Sequence, residues 1–460
     1  MNKNEIIFIN ENNFGTHQGF NGIDFTLPYW EGTDFFKTSF KYLDKFQKLY
    51  SKPPQTMHHG LNFITGGEMM SLFQYLNQKH ELRKLAIYPI SIYSGAENSF
   101  GDFDSMVLDK IHHKVIRELR DNDAFHLLLN YSYEGFISFD EYDNIHKWLD
   151  KHQIDYSKCY FTVSNYRLWE YQAEYQKKYK KHRSINVAPY MWSIPFFNNK
   201  LICGGFKNEK LYEQTFMRKK FDFNLLIREQ KAHRTRLLLD LNKLNLLDNN
   251  LVSYDLWLND NYSEGVYYNQ LETIIDKESD KFKKYWDGLN ELWETKPKRF
   301  IDYEDLEKVR GVDMETDIPY KDSYFTIVAE SFFFEEEPIG YISEKVIKPI
   351  LHKHPFILLS TPDSLTYLKS LGFRTFGETG FIDETYDCER NDEERYYMIL
   401  TQIYNLCSLS KEQKDTFIYN CTEVINHNYN HLKTFDIKKL EESFRNHFYK
   451  ITHKTIRSLL

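Results

Sequence analysis

Two short clusters carry the residue types best suited to chemistry. In residues 323–376 an apolar run, YFTIVAE, ends in Glu330 and Ser331, and an acidic loop follows. Ser343-Glu344-Lys345 then opens a helix that leads to a second apolar run, PFILLS. Strand, loop, helix and strand in that order bind ligands just beyond the carboxyl ends of the strands. Ser343 stands where a helix is capped, so the first-turn amides can face an anion, and Lys345 adds a full positive charge. The combination suits a diphosphate. Glu330 or Glu344 suits the hydroxyl pair of a ribose, because a carboxylate accepts two hydrogen bonds at once. A capped helix with a surface salt bridge accounts for the same residues.

The second cluster lies in FNLLIREQKAHRTRLLLDLNKL, residues 223–244. An apolar strand leads into a loop carrying Arg228, Lys231, His233, Arg234 and Arg236, and then into a helix with Leu237, Leu238, Leu241 and Leu244 on its apolar face. Several cations at a strand-to-helix junction favour phosphate, which arginine grips through two parallel bonds. Arg236, deeper in the helix, reads as an ordinary solvated cation.

The elements that must position these clusters come from alternating apolar runs and helical patterns. EIIFIN, LAIYPI, FHLLLNY, YFTVSN and SINVAPY read as strands between helices such as DKIHHKVIRELR and DEYDNIHKWLDKH. Such alternation implies parallel sheets flanked by helices. The turn-rich stretch 193–210 marks a boundary, after which a second strand and helix series runs from FDFNLLI to about residue 390, followed by helical patterns to the end. The expected domains are 1–205, 206–405 and a C-terminal helical segment, 406–460. Two successive α/β domains fit an enzyme with a ligand cleft between them.

Composition narrows the class. The chain has 460 residues, 41% hydrophobic and 27% charged, which suits a folded globular protein of two or three domains. No stretch approaches the roughly 20 apolar residues of a membrane span, and the start lacks the apolar core of a signal peptide. A cytoplasmic location is therefore expected. A net charge of -8 argues against bulk nucleic-acid binding. The five cysteines are scattered without CxxC spacing, so neither a disulfide framework nor a zinc site is expected, and they read as buried thiols. The basic C-terminus, KITHKTIRSLL, reads as a solvated helix face.

Taken together, HRTRLLLDLNKL and AES…GYISEKVIKPILHKHPFIL resemble the donor-binding domain of glycosyltransferase family 10, the α-1,3/1,4-fucosyltransferases. The resemblance covers roughly residues 220–376. Arg234 looks like the family's phosphate-binding arginine, Glu330 is similar to the glutamate of its E-N-S segment, and Glu344 and Lys345 match its E-K pair, which contacts ribose and diphosphate. The sequence departs from the pattern at Glu330-Ser331-Phe332, where the asparagine is replaced, and at FILLSTPDSL. The resemblance implies a GT-B fold, two Rossmann-like domains facing a cleft with C-terminal helices, and GDP-fucose as the default donor. No cofactor and no metal are implied.

Inverting transfer needs a base, and a carboxylate can take the acceptor proton. Glu134, after the strand FHLLLNY, occupies about the family's position for it along the chain, with Asp140 and Glu141 as competitors. The expected donor-side residues are Arg228, Arg234, Glu330, Ser331, Ser343, Glu344 and Lys345. The acceptor is a glycan or another hydroxyl compound. A modified base of viral DNA is an alternative, which would place the enzyme in a host cytoplasm, with the lysines at 175–183 and 277–284 tracking phosphates. A non-catalytic nucleotide- or glycan-binding module is the reading from a different class.

Overall fold

The computed structural model describes residues 6–10, 68–79, 84–91, 107–111, 113–131, 137–180, 183–190, 219–227, 231–255, 272, 275–295, 298–299, 318–334, 338–436, 442, 444, 446–448 and 450–452. The chain is α/β and divides into two units. One comprises 1–195, 337–340 and 436–460, the other 196–336 and 341–435. The boundary thus falls ten residues before the expected one, still within the turn-rich stretch. The C-terminal helices do not form a third segment, because the chain to residue 435 belongs to the second unit and the remainder to the first.

The first unit contains β1 (Ile6–Asn10), β2 (Glu68–Ser71), α1 (Leu72–Gln78), β3 (Leu85–Ser91), α2 (His113–Asp121), β4 (Phe125–Tyr131), α3 (Phe139–Lys151), β5 (Cys159–Val163), α4 (Leu168–Lys178) and β6 (Asn186–Val187). Its six strands pair in the order β2-β1-β3-β4-β5-β6, all parallel. Both faces must then be covered, and the strands read as continuous apolar runs for that reason. On β4 and β5, Leu127, Leu129, Phe161 and Val163 join one core with Trp148 and Tyr171 from the helices. Leu128 and Tyr160 point to the other face, where Phe444 and Phe448 pack. Of the basic C-terminus, 450–460, only 450–452 are described: Lys450 is exposed, as a solvated face requires, and Thr452 is buried.

The second unit contains β7 (Phe221–Leu226), α5 (Ala232–Lys243), β8 (Leu251–Asp255), α6 (Asp280–Thr295), β9 (Lys298–Arg299), α7 (Ile318–Asp322), β10 (Ser323–Ala329), α8 (Glu344–Leu351), β11 (Phe356–Leu359), α9 (Ser364–Ser370), α10 (Asp392–Cys407) and α11 (Lys411–Lys433). Its strand order is β11-β10-β7-β8-β9, parallel except for the short β9. From β7 the chain moves through α5 to β8 on one side, and from β10 through α8 to β11 on the other. The order therefore reverses between β7 and β10, and the crevice beyond their carboxyl ends is the switch point at which open parallel sheets bind ligands.

Local signals fix the ends of several elements. Helix α9 closes in a Schellman turn, with Gly372 N–H donating to Lys369 and Phe373 N–H to Leu368. Gly372 sits at φ +93°, and a Cβ there would lie 2.8 Å from the His431 ring. Gly372→Ala should therefore cost about 1–3 kcal/mol from strain and overpacking, read as a lower urea midpoint at unchanged m-value. An unaltered midpoint would contradict this account. Cys159 and Cys421 are buried as expected, whereas Cys388 is exposed and Cys407 only half-buried.

Candidate functional site

The switch point of the second unit gathers most of the residues singled out above. Strand β10 is buried along its whole length, so Glu330, the next residue, leaves the sheet deep in the protein at 1% exposure. Its carboxylate is held by the chain itself. Oε1 accepts from Ser343 N–H at 2.9 Å, and Oε2 accepts from the Ser343 hydroxyl at 2.7 Å and Ser331 N–H at 3.1 Å. Charge-assisted bonds of this kind are the strong ones. Glu330 thus ties the end of β10 to the start of α8, rather than standing open to a ribose as the sequence suggested.

Ser343 caps α8 as expected, its hydroxyl accepting from Lys345 N–H. Lys345 Nζ lies 3.3 Å from Ser331 Oγ, 3.3 Å from Ser343 Oγ and 3.1 Å from Glu344 Oε1, with 28% of the side chain exposed. Ser331, Ser343, Glu344 and Lys345 therefore form one group. Burial pushes the Glu344 carboxyl up, but the Lys345 and Lys348 ammoniums outweigh it and hold the group below its ordinary range. Glu344 is ionised.

From the neighbouring strand, α5 begins at Ala232 with Lys231 as its N-cap residue, so His233, Arg234 and Arg236 stand in the helix and not in a loop. His233 and Arg234 are buried and turn toward the end of β10. The His233 Nε2–H donates to the Glu330 carbonyl at 2.9 Å, and Arg234 Nη2 donates to the carbonyls of Ala329 and Glu330 at 3.0 and 2.8 Å. Burial, with Arg234 beside it, drives His233 well below the ordinary histidine range, so it is a neutral donor rather than a cation. Lys231 lies over the Phe332 ring at 4.9 Å.

Lys231, Arg234 and Lys345 thus stand against Glu330 and Glu344, a positive excess at the N-termini of the helices that follow two adjacent parallel strands. Such an arrangement can hold a phosphate or diphosphate through backbone amides, an ammonium and the helix dipoles. Arg236 departs from its expected solvated role. It is 1% exposed, pairs with Glu393 through Nη1 at 2.5 Å and stacks on Tyr396 at 3.9 Å. That joins α5 to α10.

Glu134 and Arg228 lie outside the described residues. The two competing carboxylates have structural partners: Glu141 closes the capping box of α3 with Ser138, and Asp140 accepts from the Tyr179 hydroxyl. Among the expected phosphate-tracking lysines, Lys178 lies over Phe139, Lys277 pairs with Glu272, and Lys281 pairs with Glu393. Among the described residues there is no group of three or more His, Cys, Asp or Glu side chains able to hold a metal ion, and no helix is long and apolar enough to cross a membrane.

The sequence reading did not single out Phe333 or Arg395. Phe333 stacks on His233, with ring centroids 5.8 Å apart, and Arg395 lies over the Phe333 ring at 4.5 Å. Neither had a local signal, since one sits in a run of three phenylalanines and the other in the charged string DEER.

No protein family matches the chain, and no curated protein matches it significantly. Among solved structures, the N-terminal domain of Candida albicans trehalose-6-phosphate phosphatase is similar at a TM-score of 0.42 and 9% identity, over 98% of this chain and 97% of that one. A similarity of that degree carries no argument about function.

Proposed function

We propose that the protein is an inverting, metal-independent glycosyltransferase of GT-B type, in which the second unit binds a nucleotide sugar and the first supplies the acceptor side. The observation that carries the reading is the pair of helix N-termini at the β7/β10 switch point, with Lys345 and Arg234 beside them. The resemblance of these same segments to the α-1,3/1,4-fucosyltransferases makes GDP-fucose the first donor to test.

In that reaction the sugar passes through a state resembling an oxocarbenium ion while negative charge grows on the departing diphosphate. Lys345 and the N-terminal dipole of α8 would stabilise that charge from fixed positions, the kind of contribution that is largest in such sites. Arg234, committed to the strand-end carbonyls, would add its field from below and hold the site in shape. Glu134 is the proposed base.

The test is melting of the protein with GDP, UDP, GDP-fucose and other nucleotide sugars, together with release of the nucleotide, all in EDTA. Stabilisation by a nucleoside diphosphate and turnover undiminished by the chelator are expected. Stabilisation without any turnover would favour a non-catalytic binding module, and strict dependence on an added metal would overturn the mechanism.

A further inference from the structure

Arg395, on α10, is 1% exposed, and burying a guanidinium is costly unless its donors are used. They are spent on the ends of two adjacent strands. Nε donates to the carbonyl of Ser360, immediately after β11, at 3.3 Å, and Nη2 donates to the carbonyl of Phe333, in the loop after β10. Nη1 donates to the Glu389 carbonyl at 2.8 Å, and Asp392 accepts a further bond from Nη2. The guanidinium also lies against the Phe333 ring, whose other partner is His233. His233 in turn donates to the carbonyl of Glu330, the residue that clamps Ser331 and Ser343.

We infer that Arg395 is a positioning residue for the diphosphate site: it fixes the loop after β10 through Phe333, and so sets where Ser331, Ser343 and Lys345 meet the ligand. The inference rests on the diphosphate reading of that site. Arg395 is too deep to touch the ligand, and it acts through the chain Arg395, Phe333, His233 and Glu330. A planar fork is required, because one group must reach the carbonyls of both Ser360 and Phe333 while its flat face lies on a ring. A lysine keeps the charge and lacks that geometry.

The experiment is calorimetric binding of GDP and of UDP to the full chain, with melting recorded for every variant. Arg395→Lys and Phe333→Leu should raise Kd at least tenfold. Gly372→Ala, which strains the end of α9 against His431 and touches none of these residues, should lower the melting temperature and leave Kd unchanged. If Arg395→Lys and Phe333→Leu melt lower but bind as the wild type does, Arg395 is a stability residue only and the inference is overturned. Should Arg395→Lys fail to fold, Phe333→Leu alone decides. A wild type that binds neither nucleotide overturns the diphosphate reading, and the inference falls with it.

Discussion

Lys345→Ala should lower sugar transfer by about 10²–10³-fold, the loss seen when one preorganised donor to developing negative charge is removed. The fold should survive. Lys345 is partly exposed, and its bonds to Ser331, Ser343 and Glu344 are 3.1–3.3 Å long, so their loss costs about 1 kcal/mol or less. Lys345→Arg keeps the charge and should recover part of the activity. The measurement is kcat/KM with GDP-fucose, or with whichever donor turns over, alongside urea denaturation. Wild-type turnover in Lys345→Ala at unchanged stability would remove the leaving-group role.

Arg234→Ala is not an equivalent test, although the sequence presents the two cations alike. Arg234 is 2% exposed and binds the carbonyls of Ala329 and Glu330. Removing it strands those groups and should cost about 3 kcal/mol. Lost activity in that variant would mix lost chemistry with lost structure.

The second unit should lose about 4 kcal/mol of stability between pH 7 and pH 5, roughly 2 kcal/mol for each of the buried His352 and His354, with His233 acting in the same direction. Burial pushes His354 down to about 3 and His352 to about 4, and it drives His233 well below its ordinary value. His354 shows how the neutral ring is fixed. Its Nε2–H donates to the Ser323 carbonyl at 2.9 Å, and its Nδ1 accepts from the Thr326 hydroxyl at 2.9 Å.

A histidine whose folded pKa lies below its unfolded value, about 6.5, binds more protons when unfolded. Its contribution is therefore complete above pH 6.5 and falls as the pH drops toward the folded pKa. The carboxylates whose pKa is lowered, such as Glu344 and Glu393, act in another window, because their stabilisation is lost only below the ordinary carboxylate value. The interval from pH 6.5 to 5 thus reports the histidines. Because domains are stable by only about 5–15 kcal/mol, a loss of that size is a large fraction of the second unit's stability. Urea denaturation at pH 7, 6 and 5 measures the slope, and His354→Gln should make it shallower by about 2 kcal/mol over that range. A stability flat across that range would refute the argument.

The alternation of apolar runs and helical patterns was enough to specify two parallel-sheet α/β units. FHLLLNY coincides with β4 residue for residue, because buried parallel strands are apolar on both faces and stand out without any partner. EMMS, the edge strand β2, has no such run, and only its pairing with β1 makes it a strand. The capping serine of α8 and the Ser-Glu-Lys group were also legible, since an N-cap and its first turn are local.

The roles within that group were not legible. Glu330 read as a ribose ligand, Arg234 and His233 as part of a phosphate-binding row of cations, and Arg236 as a solvated cation. Their partners lie 13, 96, 97 and 157 residues away along the chain, and only folding brings them together. Residue type tells what bonds a side chain can make. Burial and the geometry of the neighbouring strand end decide which bonds it does make: Glu330 becomes a clamp, His233 a neutral donor and Arg236 a buried strut, while Lys345 and Lys231 stay partly exposed near the strand ends.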